Sequence, residues 1–151
     1  MPEAKVFCLP YAGGSASVYM KWKTSIHPKI EWVPVELAGR GARYFQPPYE
    51  TFDDCLQDVR DQIVRQGDDT PYALFGHSMG ASIAFEVTRK LLAEFDTAPA
   101  HLFLSGRRSP QSARPTKPLH LLPEAELIEA LRQLGGTEEE MFADRNLLET
   151  F

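Results

Sequence analysis

Basic residues are in the minority, 16 Lys and Arg against 21 Asp and Glu, for a formal net charge of −5. A nucleic-acid-binding domain usually carries the opposite excess, so this balance argues against that class. No apolar run approaches the roughly 18 residues that a membrane-spanning helix needs. The N-terminal stretch Met1-Pro2-Glu3-Ala4-Lys5 has no basic segment leading into a long apolar one, so it does not read as a signal peptide. Cysteine is scarce as well. Cys8 lies in an apolar run and Cys55 on a helix face, and the pair reads as buried thiols of a cytoplasmic protein rather than as a disulfide. Only four histidines are present, which limits the candidates for any acid–base role. Internal repeats and low-complexity segments are also missing. What remains is 151 residues, 43% hydrophobic and 25% charged, in keeping with one globular domain and a sizeable core.

The order of elements follows from periodicity and turn residues. Lys5–Leu9 is a short apolar strand ending at Pro10, followed by a Gly-rich turn and a helix expected from Ser17 to about Ile26. Trp32–Leu37 reads as the next strand, with Pro34 suggesting a sheet edge. Thr51 to Gln66 places Phe52, Cys55, Leu56, Val59 and Ile63 on one helical face, with Thr51 as N-cap and Asp54 three residues on. The run Pro71–Phe75 is a strand, residues 81 to about 95 are a helix, and His101–Gly106 is another strand. Strands that alternate with helices call for a parallel sheet with helices on both faces. Residues 1–106 are the expected core. Residues 107–151 open as a Ser-, Pro- and Arg-rich linker and continue from Pro123 as an amphipathic stretch. Gly135-Gly136 stops that stretch, and Thr137–Glu140 looks like a second helix start.

Between the third strand and its helix lies Gly76-His77-Ser78-Met79-Gly80. This is the strand–tight turn–helix setting of a nucleophile elbow, in which a serine hydroxyl projects from the top of a sheet. The turn predicts φ > 0 at Ser78. The flanking glycines remove side chains that would collide where strand and helix come close. An ordinary Gly-rich strand–helix turn is the competing reading. A serine that attacks a carbonyl also needs backbone N–H groups facing the developing oxyanion. Met79, the residue after the candidate nucleophile, supplies one in this architecture. Ala12, in Leu9-Pro10-Tyr11-Ala12-Gly13-Gly14-Ser15, is the candidate for the other, although Gly13-Gly14 also fits a plain flexible turn.

Three segments together, Phe7-Cys8-Leu9-Pro10-Tyr11-Ala12-Gly13-Gly14-Ser15-Ala16, Gly39-Arg40-Gly41-Ala42-Arg43 and Gly76-His77-Ser78-Met79-Gly80-Ala81, give the chain its resemblance. It resembles the type II thioesterases, separate α/β-hydrolases that accompany nonribosomal peptide and polyketide synthases and are close to the medium-chain thioesterase of fatty-acid synthesis. The similarity runs over residues 5 to 151. Ala38 departs from a pattern that often has proline before Gly-Arg-Gly. The resemblance implies an α/β-hydrolase fold and hydrolysis of acyl groups from the phosphopantetheine of an acyl or peptidyl carrier protein. It implies no metal and no redox cofactor. It also implies that the stretch after Pro123 begins a helical lid; core packing is the plainer account of its periodicity.

A serine nucleophile needs a base and an orienting acid, in the chain order Ser, acid, His for this fold. After Ser78 only His101 and His120 remain. His101 opens a strand at the far end from the elbow, and His120 lies in the linker. His77 is expected to be structural, and His27 precedes the elbow. Some related thioesterases carry the acid after the strand that follows the elbow helix, but here that place reads Ser105-Gly106-Arg107-Arg108. Asp144 reads as a solvated helix charge. The resemblance therefore places acid and base past Phe151, and this chain alone is expected to be inactive or nearly so. Tyr11, Arg40, Arg107 and Arg108 are the candidates for substrate or carrier contact, with Arg43 and Arg114 nearby in sequence; solvated loop charges are the competing account. A general esterase or acyltransferase, and a non-catalytic carrier-binding domain, are the alternative functions.

Overall fold

The computed structural model describes residues 1–95, 98–112 and 119–134. These divide into two compact units, one over Met1–Arg107 and one beginning at Arg108. The first unit holds four parallel strands: β1 (Ala4–Leu9), β2 (Ile30–Pro34), β3 (Tyr72–His77) and β4 (His101–Ser105). Their order is β2-β1-β3-β4. In register, Leu9 of β1 lies beside Gly76 of β3, and His77 of β3 beside Ser105 of β4. The carboxyl ends of β1, β3 and β4 therefore finish at one level.

One face of the sheet carries α1 (Phe52–Gln66) and α2 (Met79–Phe95). Phe7, Leu9, Val33 and Leu74 point into this face and meet Leu56, Val59, Ile63, Ile83 and Val87. Burial of these side chains is the main force holding the unit together, at about 1.5–3 kcal/mol for each large one. α1 starts at the capping box read from the sequence. The Thr51 side chain accepts from the Asp54 N–H, and the Asp54 carboxylate accepts from the Thr51 N–H. Phe52, expected on the buried face, is half exposed at the first helical position.

The other face differs from expectation. The helix expected from Ser17 to Ile26 is a 3₁₀ helix over Ala16–Trp22 followed by turns. The Trp32 indole donates to the Tyr19 carbonyl at 3.2 Å, and the Lys23 N–H bonds instead to the Met20 carbonyl three residues back. The i→i+3 pattern is already present upstream, where the Val18 N–H bonds to the Ser15 carbonyl. Tyr19, Trp22, Trp32 and Phe75 form an edge-to-face aromatic cluster there. The second strand also differs from expectation, beginning at Ile30 and leaving the ladder after Pro34. Val35 and Leu37 are nonetheless buried against the core. β2 lies at a sheet edge, where a residue without an N–H is tolerated.

The second unit contains a 3₁₀ turn at Leu119–Leu121 and α3 (Glu124–Leu134). Acidic Glu124 and Glu126 fall in the first turn of α3 and Arg132 in the last, matching the helix dipole. The stop expected at Gly135-Gly136, the start at Thr137–Glu140, Arg114 and Asp144 lie outside the described residues. Among the described residues no helix is long and apolar enough to cross a membrane.

Candidate active site

From β1 the chain passes to β2 on one side, then crosses through α1 to β3 on the other side of β1. The carboxyl ends of β1 and β3 thus flank a topological switch point, where open α/β sheets hold their ligands. Ser78 lies at the tip of β3 in that crevice, between strand and helix. Its φ is +53°, and among the described residues it is the one non-glycine with a positive φ. The Ser105 carbonyl accepts the Ser78 N–H at 2.8 Å, which fastens the turn to β4.

The two neighbouring glycines have steric work. A Cβ on Gly76 would sit 2.1 Å from the Gly80 carbonyl oxygen, and one on Gly80 would sit 2.2 Å from the Leu9 carbonyl oxygen and 2.7 Å from that of Pro10. The N-terminus of α2 is therefore pressed directly onto the end of β1. This contact sets Gly80, the neighbour of Met79, against Leu9 and Pro10, which lead into the loop holding Ala12. Met79 is the first residue of α2, so its N–H stands outside the helix's own hydrogen-bond ladder. Tyr11 to Gly14 form a tight turn, with the Gly14 N–H on the Tyr11 carbonyl at 3.0 Å and Gly13 at φ +76°. Ala12 occupies the second position of that turn, whose N–H the turn does not use.

His77 does not face Ser78's side of the turn. Its Nδ1 lies 3.0 Å from the Ser105 Oγ, and its ring meets Tyr11 edge-on at 6.2 Å. Gly106, at φ +62°, lets the ring approach, since a Cβ there would stand 2.4 Å from it. His77, Tyr11 and Ser105 line, with Tyr19, Trp22 and Phe75, a cavity of about 300 Å³ beside the elbow. An apolar groove of about 270 Å³ lined by Phe7, Tyr72 and Phe95 lies at the opposite end of the strands, away from Ser78. His101 pairs with Ala73 at that far end, and His27 precedes β2 there. Neither is near the elbow.

A family model described as Thioesterase domain matches residues 4–151. The chain belongs to the thioesterase family. It is 36% identical over 140 residues to linear gramicidin dehydrogenase LgrE of Brevibacillus parabrevis, covering 93% of this chain and 53% of that protein. ClbQ from the colibactin NRPS/PKS pathway superposes with a TM-score of 0.85 at 38% identity, covering 98% of this chain and 62% of that one. The type II thioesterase BorB from the borrelidin biosynthetic cluster gives 0.76 at 33% identity, covering 99% and 62%. The chain spans about half the length of the curated relatives it matches. Among these relatives of the thioesterase family are type II members from NRPS/PKS pathways.

The candidate contact residues separate. Tyr11 is 42% exposed at the mouth of the cavity. Arg107 and Arg108 are exposed, and Arg40 is half-buried. Arg43 is neither a solvated loop charge nor a free contact: its guanidinium grips Asp58 with two nitrogens at 2.6 and 3.0 Å and also donates to the Glu36 carbonyl. Burial pushes the Asp58 carboxyl up, but the Arg43, Tyr49 and Gln62 hydrogen bonds outweigh it and hold the carboxyl below its ordinary range. Tyr49 donates to Asp58 at 2.5 Å and accepts from the Ala38 N–H. Its phenol is pushed up, chiefly by burial. This network fixes the loop of the Gly-Arg-Gly-Ala-Arg motif, and its members had no local signal because the partners are 9 to 15 residues apart.

Proposed function

We propose that the protein is a serine thioesterase that hydrolyses acyl groups from the phosphopantetheine of a carrier protein serving a nonribosomal peptide or polyketide synthase. The observation that carries this reading is Ser78 at a positive φ on the strand–helix turn, with the turn's helix packed against the loop that holds Ala12. Ser78 Oγ attacks the thioester carbonyl, and the Met79 and Ala12 N–H groups hold the resulting oxyanion. The C–S bond then breaks, the phosphopantetheine thiolate leaves and takes up the serine's proton through the base, and an acyl-serine remains. Water adds to that ester and releases the acid. This sequence of displacements uses no metal and no redox cofactor.

The base and the acid are assigned to residues beyond this chain, in the further length that its relatives have. His77 is engaged with Ser105, and His27 and His101 lie at the far end of the sheet. Arg107 and Arg108 supply positive charge for an acidic carrier or its phosphate. Hydride transfer, which the name of one relative brings to mind, finds no support here. The segment after β1 has adjacent glycines leading into a 3₁₀ helix, not a G-x-G-x-x-G turn opening an α-helix.

The test is hydrolysis of an acyl-carrier thioester and of a p-nitrophenyl ester by the full-length protein, wild type and Ser78→Ala. The reading expects preference for the carrier thioester and loss of turnover in the variant. Preference for the simple ester favours a general esterase, and undiminished hydrolysis by Ser78→Ala removes the serine mechanism.

A further inference from the structure

The segment Gly39-Arg40-Gly41-Ala42-Arg43 is not part of the proposed chemistry, yet besides the Arg43–Asp58 pair it leans on a second carboxylate, that of Glu36. Val35 and Leu37 are buried in the core, so the backbone of Glu36 between them is held on both sides. Its side chain points the other way and reaches two loops. Glu36 Oε1 accepts the Ala16 N–H at 3.0 Å, and Oε2 accepts the Ala42 N–H at 3.3 Å. The glycine at 41 is required by this arrangement, because a Cβ there would stand 2.0 Å from Glu36 Oε2. The second foot of the same loop is tied separately: the buried Tyr19 hydroxyl donates to the Leu9 carbonyl at 2.8 Å. The loop holding Ala12 is thus pinned at Leu9 by Tyr19 and at Ala16 by Glu36.

We propose that Glu36 is a positioning residue for the oxyanion hole, setting the Ala12 N–H against Ser78 by clamping the loop after β1 to the loop after β2. The inference rests on the serine thioesterase reading. The carboxylate touches no substrate; it acts through the loop. Gln keeps the shape but has a single acceptor oxygen, so either the Ala16 or the Ala42 N–H loses its partner to an NH2 group and the clamp between the two loops is broken. A misplacement of about 1 Å at a reacting centre costs on the order of a hundredfold in rate.

The experiment uses the full-length protein with an acyl-N-acetylcysteamine thioester, and measures kcat, KM and Tm for Glu36→Gln, Glu36→Ala, Gly41→Ala and the double variant Glu36→Ala/Gly41→Ala. Glu3→Gln, in an exposed ion pair with Lys29, is the control and leaves all three quantities unchanged. The expected result is a ten- to hundredfold fall in kcat for Glu36→Gln, with KM within twofold and a small change in Tm. Gly41→Ala, whose φ of +43° adds backbone strain to the collision with the carboxylate, falls at least as far, and the double variant falls by less than the product of the two single effects because the collision is gone. Wild-type kcat in Glu36→Gln overturns the proposal. So does a fall in kcat that tracks the folded fraction, multiplication of the two effects in the double variant, or failure of Glu36→Gln to fold. Continued hydrolysis by Ser78→Ala instead overturns the thioesterase reading beneath it.

Discussion

Replacing Gly80 by alanine adds one methyl group where two backbones meet. The new Cβ would lie 2.2 Å from the Leu9 carbonyl oxygen and 2.7 Å from that of Pro10, against 3.4 Å for ordinary contact. Backbone atoms cannot swing aside, so the start of α2 must retreat from β1 by about 1 Å. Alanine favours the helix over glycine by up to about 1 kcal/mol, but overpacking a tight contact costs about 1–3 kcal/mol, so the net effect is destabilising. At about 2–4 °C for each kcal/mol, the loss is readable in a thermal melt. The effect on chemistry is larger. The retreat separates Met79 from the Ala12 loop, and a shift of that size lowers the rate of attack by Ser78 about a hundredfold, or about 2.7 kcal/mol in barrier. The assay is the second-order rate of Ser78 acylation by a fluorophosphonate in the full-length protein, with folding followed by circular dichroism. A Gly80→Ala variant with wild-type labelling rate and Tm would refute the claim that this contact sets the oxyanion geometry.

Three further outcomes follow from the same structure. Asp58→Asn should cost about 2 kcal/mol at neutral pH, since it strips a partly buried guanidinium of its partner. The Asp58 pKa is lowered in the folded state, so its contribution is complete above the ordinary carboxylate value of 3.8 and is lost as pH falls through the lowered one. Urea melts of both proteins should therefore show a stability gap at pH 7 that narrows below about pH 4; a gap independent of pH contradicts the assignment. Cys8 and Cys55 are buried, and burial pushes the Cys55 thiol up to about 12 and Cys8 higher still. Neither should react with a thiol reagent at pH 7 until the protein unfolds, and rapid native labelling contradicts their placement. Charge reversal at Arg107 and Arg108 should raise KM for the carrier-bound thioester while leaving that for a small thioester unchanged; equal KM values discard the docking role.

Much of this site was legible because its determinants are local. The elbow's glycines, the positive φ at Ser78 and the Thr51–Asp54 capping box each depend on residues within four positions of one another. The features without a local signal depend on partners brought together by the fold. The 3₁₀ helix at Ala16–Trp22 is tied to β2 by Trp32, 13 residues on, which donates to the Tyr19 carbonyl. At Val35 and Leu37 burial and strand pairing give the same apolar signal, although the strand ends at Pro34. Arg43 looked like a free loop charge until Asp58 came within reach across the turn of α1. Glu36 gave no signal at all, since its two loops are 20 residues and 6 residues away in sequence. Phe103 and Leu104, on the outer strand of the described sheet, are 50% and 40% exposed.

The central claim is that Ser78 is the nucleophile, and the most direct test is mass spectrometry of the full-length protein quenched during turnover of an acyl-carrier thioester. One acyl adduct is expected, mapped to the peptide containing Ser78 and absent from Ser78→Ala. An adduct on another residue, or steady hydrolysis with Ser78 replaced, would contradict it.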